Sequence, residues 1–173
     1  MFLQEQSGGD RPLAVAAALF HVIGKHFGLF DANVRRGKIT ASDEASGQVA
    51  DIECIGSEGR IAIAVEVKDR SVAVSDLEEK LPAARKRGVK EVFFVSGKKI
   101  KQREGVTERI GKEFSAGQNL YVFQLTELAE SVLALSGEES RREFMAYVGS
   151  QLDQFSDTKH RLAWKHTLER IQH

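Results

Sequence analysis

The sequence predicts an α/β fold with a central mixed sheet flanked by helices, and three observations predict it. Asp51–Lys68 reads as two strands joined by a tight turn, with apolar residues at alternate positions. Glu91-Val-Phe-Phe-Val-Ser96 is a short apolar run of the kind that forms a buried parallel strand. Helical segments precede, separate and follow these strands, so parallel pairings are expected beside the antiparallel hairpin.

Each element has a local reason. Residues 1–9, which contain Ser7-Gly8-Gly9, are expected to be poorly ordered. Asp10 or Arg11 can cap a helix that starts at Pro12, where a missing N–H costs little. Leu13–Phe27 is so rich in Ala, Val, Leu and Ile that this helix is expected to be buried, and Gly28 stops it. His21 and His26 on it have no ligand-spaced partner and are read as structural. The polar stretch Asn33–Ala45 is expected to hold the first strand near Lys38–Ser42, followed by a loop Asp43–Gly47. Ser75-Asp-Leu-Glu78 forms a capping box before a helix that presents Leu77, Leu81 and Ala84 on one face and ends at Gly88. Pro82 is expected to kink that helix or to mark its regular start. After the strand Glu91–Ser96, Gly97-Lys98-Lys99 stands at a strand's carboxyl end, where α/β proteins bind ligands. A helix over about Lys101–Ala116, a strand Leu120–Leu125 and a short helix capped by Thr126 follow. Glu138–Phe155 and Thr158–Gln172 carry apolar residues at helical spacing, among them Phe144, Val148, Leu152 and Leu168.

The hairpin carries the chemistry. Glu58-Gly59 suits a two-residue loop, because glycine supplies the positive φ of primed turns. Pairing Ser57 with Arg60 then sets Asp51 opposite Glu66. Alternation places Asp51, Glu53, Glu66 and Lys68 on one face, with Ala62 and Ala64. Ile52, Cys54, Ile61, Ile63, Val65 and Val67 take the other face, which is core. Like charges across a strand pair cost up to about 1 kcal/mol. A divalent cation would relieve them, and hard cations prefer carboxylate oxygens. A neighbouring lysine suits phosphate chemistry, since it can neutralise developing charge or help deprotonate an attacking water. The plainer alternative is a solvated strand face with a Glu66–Lys68 ion pair. No zinc-ligand spacing, phosphate-cradling glycine loop or Ser/His/Asp signature is present.

The Asp51…Glu66-Val67-Lys68 pattern resembles the PD-(D/E)xK nuclease superfamily, with Ala50 where the family often has proline. The Ala-rich first helix, the segment GQVADIEC and the run AVEVKDR…LEEKLPAARKRGVKEVFFV look most like the catalytic region of SacI-type type II restriction endonucleases. The likeness spans roughly Leu13–Leu135. It implies a restriction-endonuclease-like core over residues 13–135, with extra C-terminal helices over 138–173, in one nuclease domain. It implies that Asp51, Glu66 and the Val67 carbonyl bind Mg²⁺ or Mn²⁺ and that Lys68 is catalytic. It further implies a metal-dependent endodeoxyribonuclease acting on double-stranded DNA, as a homodimer whose two-fold axis matches a two-fold site. Repair and recombination nucleases share the motif, and a non-catalytic DNA-binding module on the same fold is the other reading. Against the latter, all three motif residues are present.

Composition fits a globular domain. The 173 residues are 42% hydrophobic and 29% charged. No apolar run approaches the roughly 20 residues that span a membrane, and no signal-peptide pattern opens the chain, so a cytoplasmic location is expected. Cys54 is read as a small buried hydrophobe. Net charge is zero, yet Lys80–Glu113 holds eleven Lys or Arg against four Glu. Phosphate contacts are therefore expected from Arg85, Lys86 and Lys99, and alternatively from Arg35, Arg36 and Lys38. The helix dipole alone would equally draw Arg85 and Lys86 to a last turn.

Overall fold

One helix is apolar almost all round, and the rest of the chain is arranged about it. In the computed structural model, which describes residues 2–5, 7–31, 33–37, 47–101 and 103–171, this is α1 (Asp10–Phe27). Every residue from Arg11 to Phe20 is buried, as expected of a helix enclosed on all sides. Gly28 ends it in the left-handed conformation, φ 65°, and donates its N–H to the Gly24 carbonyl at 3.2 Å. Its N-cap is Gly9, one residue earlier than expected, and Asp10 lies in the first turn.

The sheet has five strands in the order β1-β2-β3-β4-β5. They are β1 (Asn33–Arg36), β2 (Ile52–Ile55), β3 (Ile61–Lys68), β4 (Glu91–Ser96) and β5 (Asn119–Gln124). β1, β2 and β3 pair antiparallel, and β3, β4 and β5 pair parallel. The first strand thus forms at Asn33–Arg36. Residues 38–42, where it was expected, lie outside the described residues, as does most of the loop 43–47. α2 (Val74–Lys86) and α3 (Arg103–Ser115) make the two parallel crossovers, followed by α4 (Leu125–Leu135), α5 (Gly137–Phe155) and α6 (Thr158–Ile171).

Both sheet faces are covered. Ile52, Cys54, Ile63, Val65 and Val95 pack with α1, and α5 and α6 extend this core outward through Phe144, Val148, Leu152 and Trp164. On the opposite face Ala64, Val92, Phe94 and Leu120 meet Leu77, Leu81 and Ala84 of α2 and Val106 of α3. The carboxylate-bearing face of the hairpin is therefore not a solvated surface.

The hairpin register is the expected one across the site, although the turn differs. Ile52 stands opposite Val65 and Glu53 opposite Ala64, which sets Asp51 against Glu66 by continuation. Near the turn the pairing slips by one, so Ile55 meets Ile61. Ser57–Gly59 forms a one-turn 3-10 helix in which Glu58 and Gly59 both have positive φ, 61° and 71°. The loop holds three residues, and a bulge at Ala62 absorbs the extra one. The bulge also corrects the facing. Ala62 packs with the α1 core and Ile61 with the α2 core, the reverse of strict alternation.

α2 is capped by Asp76, not Ser75. The Asp76 carboxylate accepts the Ala73 N–H at 2.8 Å and is gripped by Arg70 at 2.5 and 2.8 Å, which holds it well below its usual range. The helix runs on through the exposed Pro82 and ends at Gly88, φ 72°. α4 begins at Leu125 without a side-chain cap, so Thr126 falls in its first turn. The opening residues are pinned where disorder was expected. Phe2 is buried with its ring 5.0 Å from Trp164, and Arg11 Nη1 donates to the Phe2 carbonyl at 2.8 Å. Among the described residues no helix is long and apolar enough to cross a membrane.

Candidate active site

Antiparallel pairing of β2 with β3 brings the motif residues to the carboxyl end of β3. Asp51 sits just before β2, where the Gly37 N–H donates to its carbonyl at 3.1 Å. Its Oδ2 accepts the Val67 N–H at 2.8 Å, fixing the carboxylate against β3. Glu66 is 1% exposed. Lys68 Nζ donates to Glu66 Oε2 at 3.3 Å, and Lys80 Nζ from α2 stands 3.8 Å from Oε1. Burial, reinforced by nearby Asp51, pushes the Glu66 carboxyl up to about 7 against the pull of Lys68 and Lys80. Glu66 Oε1 is buried and has no hydrogen-bond partner. Such an atom is costly unless something else satisfies it.

A cleft of about 800 Å³ opens beside these residues, walled by Asp51, Val67, Lys68, Asp69, Arg70 and Lys98 among others. Glu66 lies beneath that wall, behind Lys68. Two carboxylates, one of them carrying an orphaned oxygen, and a strand end at Val67 fit a single hard cation. Among the described residues no three His, Cys, Asp or Glu side chains gather as a fuller metal cage.

Neighbouring strand ends are braced. The Gly97 N–H donates to the Lys68 carbonyl at 2.6 Å. The Ser96 hydroxyl sits between the Arg70 and Lys98 carbonyls at 3.0 and 2.5 Å and accepts the Val72 N–H at 3.3 Å. These contacts fix the two loops that form the cleft rim.

Glu53, expected beside the motif residues, is committed elsewhere. Its Oε1 accepts the Val49 N–H at 2.8 Å and its Oε2 pairs with Arg35 at 3.0 Å. Arg35 is thus the counter-ion of a buried carboxylate, with part of its side chain still in solvent. Arg36 is not available as a surface contact. Its side chain is 2% exposed, its guanidinium lies 4.7 Å over the Phe155 ring, and Asp10 approaches at 3.7 Å. The cause is that Phe155, at the end of α5, and Asp10, at the start of α1, meet over the end of β1. Lys38 lies outside the described residues. Arg85 is paired with buried Glu113, whereas Lys86 and Lys99 stand exposed. Lys98 lines the cleft from the strand end where the sequence led a ligand to be expected, whereas Lys80 is the site residue that sequence reasoning passed over. The Lys80 signal was its place beside Leu77, Leu81 and Ala84, which turns it inward.

A family model described as the SacI restriction endonuclease C-terminal domain matches residues 1–98, more than half of the chain. The matched span carries Asp51, Glu66, Val67, Lys68 and Lys80. No curated protein matches the sequence.

Proposed function

The chain belongs to the SacI restriction endonuclease C-terminal domain family, and from that premise we propose that it is a Mg²⁺-dependent DNA endonuclease of restriction type, hydrolysing phosphodiester bonds of double-stranded DNA. The observation that carries this reading is the convergence of Asp51 and Glu66, with Lys68 on Glu66, at the edge of an open cleft. Asp51, Glu66 and the Val67 carbonyl would hold the cation, Mg²⁺ or Mn²⁺. When bound, such a cation stabilises the charge of a pentavalent phosphate and makes water a stronger nucleophile.

The chain's own residues supply the rest. Lys68 presents its ammonium to the cleft and neutralises charge building on the phosphoryl oxygens. Its 3.3 Å bond to Glu66 holds it in position before substrate arrives. The Val67 N–H keeps Asp51 in one orientation. Lys80 adds a second positive charge on the far side of the same buried Glu66 carboxylate. A two-fold dimer would set two such clefts against the two strands of a palindrome.

Supercoiled plasmid incubated with the purified chain tests this. Nicked or linear product with Mg²⁺ and none with EDTA is expected. Product that persists in EDTA, or no product with either Mg²⁺ or Mn²⁺, contradicts it.

A further inference from the structure

The cations of this chain divide by whether an acid already faces them. Arg85 and Arg109 share buried Glu113, Lys112 pairs with Glu108, Arg70 with Asp76 and Arg35 with Glu53. Lys86 and Lys90 stand exposed without an acidic partner among the described residues, and so does every described cation of the segment leaving β4. Lys98, Lys99, Lys101 and Arg103 are all exposed, and none has an acidic partner among the described residues.

The position of that segment gives the cluster meaning. It begins at Gly97, which is bonded to the carbonyl of Lys68. Lys98 walls the same cleft as Asp51 and Lys68. Lys99, Lys101 and Arg103 wall the adjoining depression at the first turn of α3. The backbone is anchored: the Lys98 carbonyl meets the Ser96 hydroxyl at 2.5 Å, the Lys101 N–H donates to Ser71 Oγ at 3.3 Å, and Ile100 packs on the α2 core. The acids that share these walls are Glu5, Asp51 and Asp69 in the cleft and Glu104 in the depression.

We propose that Lys98, Lys99, Lys101 and Arg103 form the strip along which the phosphate backbone of double-stranded DNA runs as it leaves the candidate active site; this rests on the nuclease reading above. Four cations held together with none of them ion-paired repel one another, and a polyanion relieves that repulsion while releasing its counterions. The strip's described residues include no aromatic ring on which unpaired bases could stack, which favours a duplex over a single strand. The grip is on phosphate and is therefore blind to sequence.

The full chain would be titrated onto a fluorescent duplex of arbitrary sequence in EDTA across a salt series. The variant Lys98→Gln, Lys99→Gln, Lys101→Gln, Arg103→Gln is expected to lose about three units of the slope of log K against log salt. A control, Lys112→Gln, Arg142→Gln, Lys165→Gln, removes three exposed cations that are paired on their own helices and should leave the slope unchanged. Thermal midpoints of both variants report that they fold. An unchanged slope in the loop variant overturns the strip, as do an equal loss in the control, equal affinity for a single strand, or no measurable duplex binding. Plasmid cleavage followed in parallel separates the two readings. Cutting with an unaltered slope defeats the strip alone, whereas a lost slope without cutting supports the strip and defeats the nuclease.

Discussion

Gly97 has no room for a side chain. A Cβ there would stand 3.1 Å from the Lys68 carbonyl oxygen and 3.1 Å from Asp69 Cα, both backbone atoms. Gly97→Ala must part the ends of β3 and β4, at a cost of about 1–2 kcal/mol. Because the displaced strand end carries Lys68, plasmid cutting should fall as well; a variant with wild-type stability and activity would show that the contact is slack. Lys68→Ala should reduce cleavage by about 10²–10³-fold while duplex affinity is largely kept, because in the proposed role its charge acts on the reacting phosphate. Cutting at the wild-type rate would remove that role. Asp51, Glu66 and Lys68 were legible in the sequence because a hairpin turns spacing directly into geometry. Lys80 and the Ser96 brace were not, since they reach the site from a helix and a strand joined to it only by tertiary packing.

At the scale of elements, α1 and α5 are joined by one carboxylate. Glu143 on α5 meets Lys25 at 2.8 Å, His21 at 3.1 Å and His26 at 3.3 Å, all from α1, while Ser140 of its own helix bonds His26 at 2.9 Å. The Lys25 ammonium, helped by the two imidazoles, holds its carboxyl down at about 2, below the usual 4.5. The folded chain thus keeps Glu143 ionised where the unfolded chain would protonate it. That stabilisation is complete above pH 4.5 and is lost as the pH falls toward 2. Thermal midpoints of wild type and Glu143→Gln should differ near neutrality and converge through this window; a gap that persists undiminished to the acid end would refute the linkage. The two histidines, read as structural, both meet Glu143, a partner 117 and 122 residues away in sequence that has no local signature. The strand Glu91–Ser96 was read at its observed bounds, because a short apolar run between turn signals has one reasonable fate. The bulge at Ala62 was hidden, since nothing in Ile61-Ala62-Ile63 distinguishes it from regular alternation.

Across the whole molecule, the outer layer of α5 and α6 is tied back to the chain's first residues. Phe2 packs on Trp164, and Arg11 links the Phe2 carbonyl, Glu5 and, through Nε at 3.1 Å, His160. Glycines in a leading segment argue for disorder, and only tertiary contact with α6 reverses that. Phe2→Ala should cost up to about 3 kcal/mol. Because Trp164 is the only tryptophan, its fluorescence reports the loss. Unchanged emission and an unchanged midpoint would mean that the segment does not hold α6. The same long-range closure buries Arg36 beneath Phe155, which sequence-local reasoning could not anticipate. The mixed α/β architecture itself was legible, because periodicity and turn residues agree over α1, β3, α2, β4 and β5, although not over β1.

This arrangement sets Asp51 and Lys68 on the wall of one cleft with the buried Glu66 bonded to Lys68 behind it, and their joint action on a phosphodiester is the central proposal. The most direct measurement is single-turnover cleavage of a plasmid in Mg²⁺, with protein in excess, by wild type and by Glu66→Gln, each shown folded by its thermal transition. Wild type is expected to cut, and Glu66→Gln to cut at least about 10²-fold more slowly, since the amide keeps the shape of the side chain but removes the charge that would face the proposed cation. Equal rates in the two proteins would contradict the assignment of Glu66, and with it the site.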